Sequence, residues 1–336
     1  MAFKVIKIIL QKNIKILKKI IKKNIFIYKL FFSLLYVLPN YKNDTLLKFF
    51  PKKHKVIKIN NSNFYFPKYS NQYSDIFKNY SKVINIQNER HSILVRDFFL
   101  TDNLSIIIDV GANIGYFACF YKDFYKKNKK YIGFEPHKIS FYYLHKNLHH
   151  LKNIKLFNLA LGSSDKDGYI SIPAFEPHRK SNLGLMSIEQ NHIAKNKSYI
   201  GRISVPDKRL HNEQKTNYLK EKIKIRSFDS LPMKFENDDI IFIKIDVEGY
   251  EKKVLEGMKN FLNFYQNIFL SFEVHFNYNN RNSTKLILDY LESLNFHNFY
   301  LLSDAESQNK LIKFDMKNIL LDQIEKLRIC DVYCKK

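Results

Sequence analysis

The sequence predicts an open, doubly wound α/β domain, entered through an N-terminal extension of different character. Three observations predict it. From Ser105 onward, short unbroken apolar runs alternate with helical stretches, as expected when helices cover both faces of a parallel sheet. A glycine-bearing turn, 111–115, follows the first run directly. Acidic side chains stand just past the ends of other runs, where open α/β sheets bind their ligands.

In order, the predicted elements are a strand over 106–110 (IIIDV), a turn over 111–115 and a helix over 116–126. A strand over 131–134, a helix over 137–148 and a strand over 154–159 follow. Later come a strand over 240–245 (IIFIKI), a helix over 251–264, a strand over 268–274 (IFLSFEV) and a helix near 284–294. The turns after Val110, Phe134, Leu159, Ile245 and Val274 are therefore expected to build the site.

Composition bounds the function. The 336 residues are 45% hydrophobic and 15% aromatic, which excludes a mainly disordered chain. Nine Gly and eight Pro exclude collagen-like and proline-rich architectures. Cys119, Cys330 and Cys334 lack paired metal spacing and read as reduced thiols of a reducing compartment. The net charge of +24 invites a polyanion partner, but only eight of the 56 basic residues are Arg. Forked guanidinium contacts dominate base and phosphate recognition, so the charge reads as a bias towards Lys, Asn and Ile, and nucleic acid is not the expected partner.

The N-terminal segment, 1–40, carries eight Lys and no acid before Asn24. Its apolar residues recur at helical spacing and lead into 25–38 (IFIYKLFFSLLYVL), stopped by Pro39. Fourteen residues are too short for a span, and no small-residue cleavage site follows. Two readings stand side by side: a peripheral membrane anchor through residues 1–38 at the inner, cytoplasmic surface, or a helix pair packed on the main domain. Residues 41–100 form an extension with a strand-like run at 63–67 and a helix over 74–100. The α/β domain is expected over 101–315 and a tail over 316–336.

Five short stretches carry chemistry. In Asp109-Val110-Gly111-Ala112-Asn113-Ile114-Gly115, Gly111 permits a sharp turn and close approach to a ligand, and Gly115 lets the next helix lie close. Asn113 stands where a dinucleotide fingerprint would have glycine, and its amide can bond a ligand directly. Glu135, twenty-four residues after Gly111 (135 − 111), is placed to accept hydrogen bonds from two ribose hydroxyls. The plainer reading is a solvated loop acid. Leu159 or Ala160, in 158–162 (NLALG), would lie against an adenine ring. Lys244, Asp246 and Glu248 alternate at the end of a buried strand, where charge is costly unless paired or facing a ligand. They are a working site, or an ion pair of Lys244 with Asp246 or Glu273 that holds the sheet together. Glu273 and His275 share one face by alternation, and His275 can titrate near neutral pH. No His, Asp and Glu trio shows metal spacing in the sequence, so no metal is expected.

With these stretches in order, the chain resembles the FkbM-type family of S-adenosylmethionine-dependent methyltransferases. The matching stretches are IIIDVGANIGYF, YIGFEP, NLALG, IKIRSFDSL, IIFIKIDVEGYEKKVLEGM and LSFEVH, from about Glu89 to Leu294. The resemblance implies a Rossmann-like class I methyltransferase fold, a mostly parallel seven-stranded sheet with the last strand antiparallel and helices on both faces. The helical N-terminal extension stands outside it. It implies S-adenosyl-L-methionine as cofactor, held by Asp109, Gly111, Asn113, Gly115, Glu135, Pro136, Ala160 and Asp246. The expected reaction is O-methylation of a hydroxyl on a sugar, glycan or related small molecule, with Asp246, Glu248 or His275 as general base. Ser181-Asn182-Leu183-Gly184 matches only loosely a small-residue segment of that family, and 177–220 is the expected substrate-facing loop. Rival readings are an RNA methyltransferase and a non-catalytic relative that keeps the cofactor fold. A nicotinamide dehydrogenase is disfavoured by Asn113 and by KIDVEGYE.

Overall fold

The structure is a computed structural model that describes residues 54–59, 62–67, 103–120, 129–173, 218–275, 281–302, 311–327 and 329–336. A hairpin, β1 (His54–Ile59) and β2 (Ser62–Pro67), precedes β3 (Leu104–Val110), α1 (Tyr116–Phe120), β4 (Lys130–Phe134), α2 (Lys138–Leu148) and β5 (Ile154–Phe157). Three strands follow that leave the main sheet: β6 (Ala160–Leu161), β7 (Lys166–Pro173) and β8 (Tyr218–Arg226). The chain returns with β9 (Ile240–Ile245), α3 (Glu251–Glu256), α4 (Lys259–Phe264), β10 (Ile268–His275) and α5 (Arg281–Ser293). It ends with β11 (Asn298–Leu302), β12 (Leu311–Phe314), α6 (Lys317–Leu327) and β13 (Ile329–Lys335).

The main sheet has the order β12-β11-β13-β10-β9-β3-β4-β5. Strands β5, β4, β3, β9 and β10 are parallel, and β13 runs antiparallel to both β10 and β11. The expected seven strands are all here, with β12 added at one edge, antiparallel to β11. From β3 the chain winds outward through β4 and β5; from β9 it winds the other way. The carboxyl ends of β3 and β9 therefore flank the topological switch point, where ligands of such sheets bind.

The strand alternation explains why this sheet is buried on both faces. Ile106, Ile108, Ile241, Ile243 and Ile245 pack into one core with Leu270 and Phe272. Ile107 and Phe242 turn to the other face and pack with Tyr131, Leu144 and Leu148. The 316–336 segment, expected as a tail, supplies α6 and the strand seated between β10 and β11, with Cys330, Val332 and Cys334 in the core. The three cysteines form no disulfide.

Two expected elements are interrupted, each for a visible reason. The strand predicted over 154–159 stops at Phe157, because Asn158 turns its side-chain amide onto the carbonyls of Glu135 (2.9 Å) and Pro136 (3.0 Å). Ala160 and Leu161 then pair with Ile225 and Arg226 in a separate three-stranded sheet, β6-β8-β7. The helix predicted over 251–264 breaks at Gly257. A side chain there would start 1.9 Å from the Gly162 carbonyl oxygen, so the two backbones pack directly. The second half restarts on Asp229, whose carboxylate accepts the N–H groups of Asn260 (2.8 Å) and Phe261 (3.0 Å).

Asn147 of α2 ties the hairpin to the domain by hydrogen bonds. Asn147 accepts the Tyr65 N–H (2.7 Å) and donates to the carbonyls of Tyr65 (2.9 Å) and Ile114 (2.8 Å). Phe64 and Phe66 pack on Ile114, directly beneath the glycine turn. The segment 1–40, the helix expected over 74–100 and most of the loop over 177–220 lie outside the described residues. No helix among the described residues is long and apolar enough to cross a membrane.

Replacing Gly257 by Ala is expected to lower stability by about 1–3 kcal/mol, the usual cost of forcing atoms into a filled space. Urea denaturation measures this, and an unshifted midpoint would contradict the direct backbone packing.

Candidate active site

The ends of β3, β4 and β9 meet at the glycine turn. The N–H groups of Gly111 and Ala112 both donate to the Phe134 carbonyl at 3.0 Å, and Asp246 N–H donates to the Val110 carbonyl at 3.0 Å. Gly111 has φ +83, and a Cβ on it would lie 1.9 Å from the Asp246 carbonyl oxygen. The close approach expected at this glycine is thus made by the backbone just past β9, which it admits against the turn. A Cβ on Gly115, at φ +84, would lie 3.0 and 3.3 Å from Leu144 and Leu148, so the turn packs against α2 rather than against the helix that follows it.

Glu135 joins two turns. Its Oε2 accepts the Asn113 N–H (2.9 Å) and its Oε1 accepts the His137 N–H (2.8 Å). The side chain is 4% exposed. Burial pushes its carboxyl up to about 7, against the opposing pull of His137 and of the two backbone N–H groups. A solvated loop acid would show none of this. Asn113 sits in the left-handed region at φ 50, and its Oδ1 is buried without a hydrogen-bond partner. Pro136 is half-buried beside Glu135, and Ala160 is buried on β6.

Lys244 organises the next strand. Its ammonium lies 3.0 Å from Asp246 Oδ2 and 3.7 Å from Asp109 Oδ1, with the Phe117 ring 5.5 Å away. Burial alone would lower its pKa, but Asp246 and Asp109 outweigh this and hold it above the ordinary lysine value. It therefore stays charged. Asp109 is fully buried and also accepts the Tyr131 hydroxyl at 2.6 Å; burial raises its pKa, opposed by Lys244 and Tyr131. The ion pair with Asp246, one that the sequence allows, is made.

Asp246, Glu248 and Glu273 offer carboxylate oxygens within 4.8 Å of one another, each residue partly exposed. They come from two neighbouring strand ends, so their separation in sequence hides the trio that could hold a cation. Glu248 adopts φ 54 and Gly249 φ 97, while the Gly249 N–H donates to Glu251 Oε1 at 2.9 Å. His275 closes β10 opposite Ile329; its side chain lies outside the described residues. Sequence reasoning missed His137 and Glu221, a buried pair at 2.7 Å behind Glu135. The signal was present: Glu221 interrupts the apolar alternation completed by Ile223 and Ile225.

Residues 109–297 match the family described as the methyltransferase FkbM domain. The chain belongs to the FkbM methyltransferase family. Methyltransferases of this family use S-adenosylmethionine. No curated protein matches it. Among solved structures it is similar to the methyltransferase FkbM of Methylobacillus flagellatus KT, at 14% identity and a TM-score of 0.37. That match covers 69% of this chain but 44% of the Methylobacillus protein, so the chain spans less than half the length of that relative. It is also similar to M. jannaschii TYW2 in complex with AdoMet, at 10% identity, 85% and 88% coverage and a TM-score of 0.37. The N-terminal domain of human METTL16 in complex with SAH is similar at 12% identity, 75% and 69% coverage and a TM-score of 0.33.

Two tests of this FkbM methyltransferase's site follow from its geometry. Between pH 4.5 and about 7, Glu135 is protonated when folded and ionised when unfolded, so the unfolded chain binds fewer protons. Stability should fall as pH rises through this window and level off above it. Denaturant midpoints should show this fall for the wild type and a smaller one for Glu135→Gln; identical profiles would contradict the buried carboxyl. Glu248→Gly should hold stability or raise it by up to about 1 kcal/mol by relieving the left-handed backbone, while methyl transfer drops. A marked loss of stability would instead assign Glu248 to holding the turn.

Proposed function

We propose that this methyltransferase methylates a hydroxyl group of a sugar, glycan or related small molecule. The observation that carries the reading is the convergence of Asp246, Glu248 and Glu273 within 4.8 Å at the same sheet edge as Glu135. Neighbouring carboxylates suit an acceptor rich in hydroxyl donors, since each can accept several hydrogen bonds.

The turn residues fit the nucleoside half of S-adenosylmethionine. Glu135 spends one hydrogen bond of each oxygen on a backbone N–H, and an ionised carboxylate has about four acceptor sites, so a ribose diol can still be held. The buried, unpartnered Asn113 Oδ1 offers a further acceptor at the same turn. Gly111 and Gly115 shape that turn, and Pro136 and Ala160 supply the apolar flank for the base. Bound, the cofactor supplies a methyl group on an electrophilic sulfonium.

The protein's own task is then alignment and proton removal. Orienting an acceptor oxygen is worth roughly 7–11 kcal/mol of the barrier in favourable cases. A neutral hydroxyl is a poor nucleophile, and a positioned base adds about 10²–10⁴-fold. Asp246, Glu248 and His275 are the candidates to take the hydroxyl proton. Lys244 is not one of them: it stays protonated and fixes Asp246. A second reading, an RNA acceptor, draws on the net charge of +24.

Incubation with tritiated S-adenosylmethionine and fractionated glycans, lipids and RNA decides between them. Label in the glycan fraction is expected. Label confined to RNA, falling steeply with salt, would overturn the sugar reading. Asp246→Asn should cut turnover by about 10²–10⁴-fold while S-adenosylhomocysteine still binds in calorimetry; unchanged turnover would remove Asp246 from the list of bases.

A further inference from the structure

Behind Glu135 lies a second buried acid whose position the reaction described so far does not explain. On β8, Glu221 takes the face that Ile223 and Ile225 occupy further along, while Lys222 and Lys224 point to solvent. Glu221 is 1% exposed, so it sits where the strand pattern calls for an apolar side chain. A charge in such a place destabilises the fold unless it is paired and fully hydrogen-bonded.

Its partners among the described residues belong to the start of α2. Glu221 Oε2 lies 2.7 Å from His137 Nδ1, and Oε1 accepts the Lys138 N–H at 3.2 Å. His137 is the N-cap residue of this eleven-residue helix, yet its side chain makes no capping bond. Glu221 caps the helix from another sheet instead. The carboxylate selects the tautomer with the proton on Nδ1, and the buried Nε2 has no partner. The His137 ring is thus held by its single bond to Glu221.

The same residue presents the backbone N–H that holds Glu135 Oε1 at 2.8 Å. A chain of contacts therefore runs from Glu221 through the His137 ring and backbone to the Glu135 carboxylate. We propose that Glu221 and His137 are positioning residues that fix the Glu135 carboxylate for the cofactor ribose, an inference that rests on the ribose reading of Glu135. Neither residue touches the cofactor in this role; both act through Glu135.

A double-mutant cycle on the full-length chain tests it, with S-adenosylhomocysteine affinity from calorimetry as the readout. Glu221→Ala is expected to weaken binding about tenfold or more, as small misplacements in a site commonly do. In a Glu135→Gln background the same change should have almost no further effect, because the group it positions is already altered. At saturating cofactor, kcat should move far less than the cofactor KM. His137→Phe, which keeps an aromatic ring and removes Nδ1, should give the same coupled pattern and serves where Glu221→Ala does not fold. Independent, additive losses, or undiminished affinity in folded Glu221→Ala, would overturn the proposal. A wild-type chain that binds no S-adenosylhomocysteine, or binds it equally well as Glu135→Gln, would overturn the ribose reading beneath it.

Discussion

A buried carboxylate shared by two backbone turns is the constraint on which this site depends. Glu135 accepts one N–H from the glycine turn after β3 and one from the start of α2. Removing a carboxylate from water is costly, and only bonds made to both oxygens keep it in place. The surroundings follow from that need. Gly111 folds back so that its turn meets Phe134, the residue before Glu135. Asn158, just past β5, ties down the Glu135 and Pro136 carbonyls, and Asn147 braces the glycine turn from below through Ile114.

The neighbouring strand solves a related problem with charge. Asp109 is fully buried one residue before the β3 end, and Lys244 of β9 stands across from it and from Asp246. The register of the two strands sets this directly, since Asp109 pairs with Lys244 in the ladder. The ammonium compensates two acids and keeps Asp246 at the edge of the crevice. Strain is spent in the same region: Asn113 and Glu248, at φ 50 and φ 54, hold left-handed backbone on the two turns that face each other across the switch point. Residues held in such conformations concentrate where a site needs a side chain that glycine cannot supply.

Much of this was legible because it is local. The runs at 106–110, 131–134 and 240–245 are apolar but for Asp109 and Lys244, and the structure has strands at all three. Glu135 was readable from its spacing after Gly111, and the Lys244, Asp246, Glu248 alternation from the cost of charge on a buried strand. What escaped was set by contacts distant in sequence. Gly257 breaks a helix only because Gly162 packs on it. Segment 316–336 reads as a tail until β13 is seen between β10 and β11. Glu273 joins Asp246 and Glu248 through strand pairing, and Glu221 meets His137 across 84 residues. A single polar residue in an apolar alternation was the available clue to the last.

The central claim is that the Glu135 carboxylate receives the cofactor's sugar at the glycine turn. A crystal structure of the S-adenosylhomocysteine complex tests it most directly. The account requires both ribose hydroxyls within hydrogen-bonding distance of Glu135, with the base flanked by Pro136 and Ala160. A nucleoside bound elsewhere, with Glu135 still enclosed by its two backbone N–H groups alone, would contradict it.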